Sequence, residues 1–407
     1  MKKNLSELAI WGNSPIFENQ IPVGQINLPS WEYFCDSFHD LFERRYYTNH
    51  GVLTQEFEEK LCRLLGTRYA LVMTNATIAL SLACKGLNLP VGGKVIVPSF
   101  TFAATVQALS WAGLEPVFCD ITHHSHLITP DTVAPLLDTP GVCAILGVHL
   151  WGNACDADGL TKLAKERDIS IFFDAAHAIG CTHRGFSIGG FGSCEVFSFH
   201  GTKILTSTEG GCITTNDDDL AERLRNLRSS YGRRMTVPIP IAGYGRFSEA
   251  QAAFGLLSLE DFPKNCAANE KRMHLYVEGL RAVPGIRFLL PTPGERHNYQ
   301  YVVLEIEEKE FGLSRDALVR ILEAENVLVR RYFVPGMHRC VPYKTQFPQY
   351  MNTLPVTDAL CEKVMQVPSG QRVTDGDITV ICDLIRFVHT HAKKLKGALP
   401  KREEPQQ

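Results

Sequence analysis

A lysine occupies an unusual position in the segment FSFHGTKILTSTEGG, which runs from Phe197 to Gly211. Lys203 follows an apolar run and a serine, and a threonine-rich stretch with two glycines comes after it. Lysine is usually exposed, so this segment alone favours a solvated surface cation over a buried amine kept for chemistry. Other reactive side chains must decide between these two interpretations.

An aspartate ends the apolar run ISIFF, where an unpaired carboxylate would be costly. Asp174 therefore needs a cationic partner. A nearby arginine or a helix N-terminus is the structural interpretation of that partner. The functional interpretation is a ligand cation, such as a protonated pyridine nitrogen.

The segment TNATIAL places small residues at the end of a strand, where they open a helix. Free backbone N–H groups and the helix dipole favour a phosphate there, and the hydroxyl of Thr77 could add a donor. Asparagine and threonine at a helix start are also ordinary capping residues, so this pattern is weak when taken alone. Neither G-x-G-x-x-G nor G-x-x-x-x-G-K-[ST] occurs, so dinucleotide and P-loop sites lose their main support.

The elements that position these residues alternate from about residue 54 onward. Short apolar runs such as YALVMT, KVIVP, EPVFCD and CAILGVHL alternate with segments of helical period. This alternation predicts an α/β fold with a mostly parallel sheet covered on both faces. Around Phe262 to Asn265 the pattern changes to few strands among helices, which predicts a smaller α+β domain.

Ligands of such sheets bind beyond the carboxyl ends of the strands. The rule selects five loops that should converge on one crevice: Thr74 to Thr77, Pro98 to Phe102, His149, Asp174 to His177, and Ser198 to Lys203. Together they offer a phosphate cradle, an aromatic side chain, a carboxylate and a lysine. Pyridoxal 5′-phosphate needs this set, because the lysine forms a Schiff base with it and the carboxylate keeps its pyridine protonated. Lys203 would then move protons, which requires a desolvated amine of lowered pKa.

Five segments together resemble the DegT/StrS family of sugar aminotransferases, which are fold-type I enzymes dependent on pyridoxal phosphate: FDAAHAIG, FSFHGTKILTSTEGGCITTND, VPSFTFAAT, RFSEAQAAFGLLSLE and RRYFVPGMHR. The resemblance runs from about Arg45 to Tyr343 in the family's order. Within the family, MKKNLSELAIWG, RRYYTN, GVHLWGNACD and AENVLVRRYFVPGMHR are similar to the subgroup that makes dTDP-4-amino-4,6-dideoxyglucose (viosamine). The implied fold is a large domain with a mostly parallel seven-stranded sheet between helices, plus a smaller α+β C-terminal domain.

The resemblance implies a role for each cofactor residue. It makes Lys203 the catalytic lysine and Asp174 the partner of the pyridine nitrogen, with Phe102 stacked on the ring. Ala176 is placed on the second face of the ring, and His177 beside the ring hydroxyl. Ala76, Thr77 and Ser198 are placed at the phosphate. Ala76 stands where the family commonly has glycine, which is tolerable if its φ stays negative.

The substrate side departs further from the family. TNHGVL, which contains Asn49, replaces the usual N-G-P-type stretch near the sugar nucleotide. We assign RRYFVPGMHRCVPY to the face of the small domain over the crevice, with Arg331, Tyr332 and His338 as substrate-binding candidates. Neighbouring strand residues point to opposite faces, so Arg330 is expected to be solvated.

The resemblance also implies a homodimer with shared active sites. Tyr244 aligns where the family has an asparagine that reaches the phosphate of the neighbouring subunit's cofactor. Its hydroxyl could donate the same hydrogen bond, and a packed interface tyrosine is the alternative. The implied substrates are L-glutamate and a nucleotide-linked 4-keto-6-deoxy sugar. A 3-keto sugar and a catalytically silent cofactor-binding protein remain alternatives, whereas Lys203 argues against the family's dehydratases, which have histidine there.

The predicted domain organisation has four parts. They are an N-terminal arm at 1–50, a large cofactor domain at 51–264, a small C-terminal domain at 265–395 and a polar tail at 396–407.

The composition predicts a soluble cytoplasmic protein. A formal net charge of −3 gives no electrostatic reason to bind nucleic acid or an anionic membrane. The 13 scattered cysteines indicate reduced thiols, and we find no signal peptide and no apolar run of membrane-spanning length. CDITHHSHLITP matches no ligand spacing, so we expect a polar loop and no metal site.

Overall fold

The computed structural model describes residues 2–25, 27–48, 50–229, 239 and 243–399. Its α-helices are α1 Trp31–Arg44, α2 Val52–Leu65, α3 Ala76–Gly86, α4 Ala103–Trp111, α5 Pro130–Val133, α6 Ala157–Glu166, α7 Asp218–Arg228, α8 Glu249–Leu280, α9 Glu308–Phe311, α10 Arg315–Ala324, α11 Tyr343–Gln346, α12 Pro355–Lys363, α13 Asp375–Thr390 and α14 Ala392–Ala398. Short 3-10 turns lie at Leu5–Glu7, Ala9–Trp11, Ala134–Leu136, Met337–Arg339 and Pro348–Tyr350. Among these residues, no helix combines the length and apolarity that crossing a bilayer requires.

The strands are β1 Tyr69–Met73, β2 Lys94–Pro98, β3 Glu115–Cys119, β4 Val142–Val148, β5 Ser170–Asp174, β6 Thr182–His183, β7 Phe186–Ser187, β8 Glu195–Ser198, β9 Gly211–Thr215, β10 Ile286–Phe288, β11 Val302–Ile306 and β12 Val364–Val367. In the described residues, seven of them form one sheet in the order β1-β9-β8-β5-β4-β2-β3. β9 pairs antiparallel with β1 and β8, and the other neighbours are parallel. The predicted mostly parallel seven-stranded sheet of fold type I is confirmed.

Both faces of this sheet are covered, which explains its continuous apolar strands. Val95 and Val97 of β2 pack with α3, α4 and α7 on one face, while Ile96 packs in a separate cluster on the other. Phe172 of β5 lies in the first cluster, and Phe173 lies in the second. This alternation follows from the two-residue period of a strand.

A smaller unit contains an antiparallel sheet in the order β10-β11-β12. Its core includes apolar residues of α10, α13 and the C-terminal half of α8. Part of the predicted N-terminal arm packs here, because the carboxylate of Glu325 accepts hydrogen bonds from the N–H groups of Ala9 at 2.8 Å and Ile16 at 2.6 Å.

The large and small units share α8. This helix spans 32 residues with Pro263 inside it, and its N-terminal half packs against α2 while its C-terminal half packs against α13. The proposed boundary at residue 264 therefore falls within one continuous helix. Of the proposed tail, residues 396–398 end α14, and 400–407 lie outside the described residues.

Candidate active site

A cavity of about 400 Å³ opens beyond the carboxyl ends of β4, β5 and β8. Each of the five loops selected from the sequence contributes to its wall. The predicted residues that line it are Ala76, Thr77, Phe102, His149, Asp174, Ala176, His177, Ser198, Lys203 and Tyr332. The cavity lies where parallel sheets of this kind bind ligands.

Lys203 extends into this cavity from the loop after β8. Its Nζ donates a hydrogen bond to the hydroxyl of Tyr301 at 3.0 Å. Desolvation lowers the pKa of Lys203 to about 8, and the positive charge of Arg330 contributes to this decrease. Electrostatic interactions with Tyr332 and Asp174 oppose it. The amine can therefore lose its proton near neutral pH, as an acid–base catalyst must.

Asp174 is buried at the end of β5, where only 6% of its surface is exposed. Its Oδ2 accepts from the Thr105 hydroxyl at 2.7 Å, and its Oδ1 accepts from the Ala176 N–H at 3.0 Å. Desolvation raises the pKa of Asp174, and these two hydrogen bonds and the Lys203 charge oppose it. A cation placed beside this carboxylate would stabilise its charged form.

The N-terminus of α3 forms another part of the wall. Asn75 caps this helix, because its side chain accepts from the Ile78 N–H at 2.9 Å. A Cβ added to Gly211 would lie 2.6 Å from the Ala76 nitrogen, so only glycine lets β9 begin this close to the helix. Ala76, Thr77 and Ser198 line the cavity at this helix start, which suits a phosphate group.

Three more predicted residues complete this side of the cavity. The ring of Phe102 is 58% exposed, which is unusual for an aromatic side chain beside a cavity and suits stacking on a flat ligand. Ala176 borders the same space with a minimal side chain. His177 is buried, and desolvation holds its pKa well below its usual range, so it is neutral. These residues, with Asp174, Lys203 and the start of α3, fit pyridoxal 5′-phosphate.

The segment RRYFVPGMHR corrects two substrate-binding predictions. Arg330 lines the cavity, whereas Arg331 lies outside its wall with Nη1 3.5 Å from Asp316 Oδ1. The strand alternation that favoured Arg331 fails because, in this described stretch, only an isolated bridge from Arg330 to Gln366 is formed.

His338 is fully buried and does not border the cavity. Its Nδ1 lies 2.7 Å from the hydroxyl of Ser99, and its backbone N–H donates to the same hydroxyl at 3.0 Å. His338 therefore fastens the 3-10 turn at 337–339 to the loop after β2, which is why it is unable to reach a substrate.

Of the two remaining predicted residues, Tyr244 lies apart from the cavity wall. Tyr244 is 64% exposed, and the Arg246 guanidinium carbon lies 5.1 Å from its ring centroid. Asn49 lies outside the described residues.

Tyr301 was not predicted from the sequence, and Arg330 was wrongly expected to be solvated. Tyr301 is buried just before β11, and its ring centroid lies 4.4 Å from that of His177. The nearest sequence signal was the apolar run QYVVLEIE, which predicts a strand. It gives no reason to place its tyrosine beside a lysine 98 residues away.

Comparison with known proteins gives the same result as the geometry. The model of the DegT/DnrJ/EryC1/StrS aminotransferase family matches residues 32–386. The dTDP-4-amino-4,6-dideoxy-D-glucose transaminase of Shigella dysenteriae is 33% identical over 91% of this chain and 100% of its own. The GDP-perosamine synthase of Caulobacter vibrioides is 34% identical over 81% of this chain and 88% of its own.

Among solved structures, the crystal structure of DesI in the presence of its TDP-sugar product superposes with a TM-score of 0.92. The identity is 39%, and the match covers 97% of this chain and 99% of DesI. The chain therefore belongs to the DegT/DnrJ/EryC1/StrS aminotransferase family and is a pyridoxal 5′-phosphate-dependent aminotransferase.

Proposed function

We propose that this enzyme transfers the amino group of L-glutamate to C4 of dTDP-4-keto-6-deoxyglucose. The observation that carries the proposal is the joint placement of Lys203, Asp174 and the start of α3 around one cavity. The sugar is supported by the names of the Shigella dysenteriae relative and of an Escherichia coli relative that is 30% identical over 90% of this chain. The TDP-sugar product in the DesI structure supports the same nucleotide class.

Different residues around the cavity would bind different parts of the cofactor. When bound, pyridoxal phosphate supplies an electron sink for the carbon whose amino group is exchanged. Asp174 would hold the positive charge at the pyridine nitrogen, and its burial makes that pairing strong. Ala76, Thr77 and Ser198 would bind the phosphate, while Phe102 and Ala176 would enclose the ring.

Lys203 would carry the proton between the substrate carbon and the cofactor. Its pKa of about 8 leaves a useful fraction of neutral amine near physiological pH. The Tyr301 hydroxyl accepts from this amine and would keep it aimed into the cavity when it is free. His177 is neutral and therefore suits a hydrogen bond to the ring hydroxyl.

We also propose that two copies of the chain share their active sites. The large exposed ring of Tyr244 lies off the wall of its own cavity, which agrees with a contact to the partner's cofactor phosphate. Mixing a Lys203→Ala chain with a Tyr244→Ala chain tests this arrangement. If each parent is nearly inactive, random pairing should return activity toward about a quarter of wild type, because one site of each hybrid has neither defect. No recovery despite confirmed subunit exchange would mean that Tyr244 serves its own chain.

A GDP-linked sugar is the second candidate substrate. The GDP-perosamine synthases of Caulobacter vibrioides and Vibrio cholerae, at 34% and 29% identity, favour this alternative. The cavity residues that would hold the cofactor are compatible with either nucleotide.

One experiment tests both candidates. The purified enzyme is incubated with L-glutamate and a panel of 4-keto and 3-keto sugars linked to dTDP or GDP, and the products are analysed by mass and NMR. We expect an amine at C4 of the dTDP sugar. Amination only of the GDP sugar, or only at C3, would contradict the proposed substrate. Absence of reaction with every sugar, and of any spectral change with glutamate, would support the silent cofactor-binding protein.

A further inference from the structure

Arg330 places a cation at the cavity wall. Its side chain borders the cavity, and in the part of the chain that the structure describes it forms no ion pair with a carboxylate. Its Nη1 donates only to the neutral hydroxyl of Tyr332, at 3.1 Å. The adjacent Arg331, in contrast, has Asp316 as its partner. A guanidinium with spare donors beside a cavity favours an anionic ligand.

The backbone of Arg330 is held firmly in place. Its N–H donates to the Gln366 carbonyl at 3.1 Å, and its carbonyl accepts from the Gln366 N–H at 2.8 Å. This two-way bridge attaches the residue to β12, and Tyr332 supports the guanidinium from the side. The cation is therefore positioned before a ligand arrives, which lowers the entropy cost of binding.

Arg330 is close enough to Lys203 to influence it. Desolvation is the largest cause that lowers the pKa of Lys203, and the positive charge of Arg330 adds to it. For Tyr301, desolvation raises the pKa, and the charge of Arg330 opposes that rise. Tyr301 in turn contacts the Lys203 amine directly. Arg330 and Lys203 thus border the same cavity of about 400 Å³, together with Tyr301 and Tyr332.

This proximity selects between the anions that an aminotransferase substrate can offer. The α-carboxylate of an amino acid is attached to the carbon that bears the reacting amine. The diphosphate of a sugar nucleotide is separated from C4 by the width of the sugar ring. We propose that Arg330 binds the α-carboxylate of the amino donor and of the keto acid formed from it. The identity of that donor as L-glutamate rests on the proposed function.

The test uses Arg330→Gln, with Arg330→Lys as the conservative variant and Arg331→Gln as the matched control. The holoenzymes are mixed with L-glutamate, and conversion of the cofactor is followed by its absorbance in single turnovers. We expect the dissociation constant for glutamate to rise by about 10- to 100-fold in Arg330→Gln, since a charged hydrogen-bonded contact is lost. Arg330→Lys should recover part of this loss, and Arg331→Gln should stay within about twofold of wild type.

L-Alanine, which has an α-carboxylate but no side-chain carboxylate, identifies the group that is bound. Its second-order rate constant should fall in Arg330→Gln by a factor similar to that for L-glutamate. A loss confined to glutamate would assign Arg330 to the side-chain carboxylate and overturn the proposal.

The second half-reaction, in which the keto sugar takes the amine, separates the amino donor from the sugar. Each variant is loaded with pyridoxamine phosphate and titrated with dTDP-4-keto-6-deoxyglucose, and Arg330→Gln should bind it within about threefold of wild type. Three outcomes for Arg330→Gln would each overturn the proposal. They are weaker sugar binding with unchanged glutamate binding, an equal loss of affinity for both substrates, and no change in affinity for either. If wild type reacts with glutamate but with no sugar in the panel, the proposed sugar is wrong, and the glutamate half-reaction still decides the role of Arg330.

Discussion

The two walls of the cavity differ in how completely their polar groups are paired. On the sheet wall, formed by the loops after β1, β2, β4, β5 and β8, Asp174 already accepts hydrogen bonds from Thr105 and Ala176. On the small-unit wall, formed by Tyr301, Arg330 and Tyr332, the Arg330 guanidinium donates a side-chain hydrogen bond only to the Tyr332 hydroxyl among the residues that the structure describes. The paired wall fits a resident cofactor that must be held in one geometry. The wall with spare donors fits substrates that enter and leave in turn.

The largest expected effect lies on the sheet wall. Lys203→Ala should abolish transamination, with a loss of about 10³-fold or more, because it removes the proton carrier at the reacting carbon. The fold should persist, since the side chain borders the cavity. Steady-state rates and thermal unfolding of the holoenzyme measure the two consequences, with Lys85→Ala, whose amine donates to the Ala112 carbonyl away from the cavity, as the control. Comparable turnover by Lys203→Ala without added amines would refute the assignment.

Asp174→Asn should bind the cofactor but lose about 10²-fold in maximal rate, because an amide does not hold the pyridinium charge. Absorbance of the bound cofactor and the rate at saturating substrates give the two readouts. A decrease of less than about tenfold would mean that Asp174 has only a structural role.

Gly211→Ala should weaken cofactor binding by about tenfold and destabilise the protein by about 1–3 kcal/mol, because its Cβ would force β9 away from the start of α3. The Cβ would lie 2.6 Å from the Ala76 nitrogen, whereas the control Gly376→Ala meets only the Thr374 hydroxyl at 3.7 Å. Cofactor titration and thermal unfolding measure the two effects. Unchanged cofactor affinity in Gly211→Ala would remove the start of α3 from the phosphate site.

Tyr301→Phe should have the smallest effect, a three- to tenfold decrease in rate, since about 1 kcal/mol is typical of one hydrogen bond. In enzyme loaded with pyridoxamine phosphate, the rate should rise as the pH increases through the Lys203 pKa of about 8, because the neutral amine takes the proton. Losing the hydroxyl that accepts from this amine should move that rise to lower pH. An unaltered pH profile and rate would show that Tyr301 merely packs beside the lysine.

The residues of the sheet wall could be predicted from the sequence because the sheet topology alone determines where they lie. Parallel strands bring their carboxyl ends to one edge, so the segments around Lys203 and Asp174 could be placed together without knowing any contact. The small-unit wall depends on long-range partners instead. Arg330 was misjudged because alternation holds only in a strand, and its segment forms an isolated bridge.

Two histidines show the same limit of sequence analysis. His338 was predicted to face the crevice, but it is fully buried and hydrogen-bonded to Ser99. His126, in the segment predicted as a polar loop, is fully buried with Nε2 2.6 Å from Glu305, which lies 179 residues away. Local composition does not reveal such pairings.

The glutamate half-reaction, measured against glutamate concentration in wild type, Asp174→Asn and Arg330→Gln, tests most directly whether the two walls have separate tasks. We expect Asp174→Asn to lower the maximal rate by about 10²-fold with little change in the dissociation constant for glutamate. We expect the opposite for Arg330→Gln, in which the dissociation constant for glutamate should rise by about 10- to 100-fold and the maximal rate should change little. If both variants lose maximal rate while their glutamate binding is unchanged, the division between a cofactor wall and a substrate wall is contradicted.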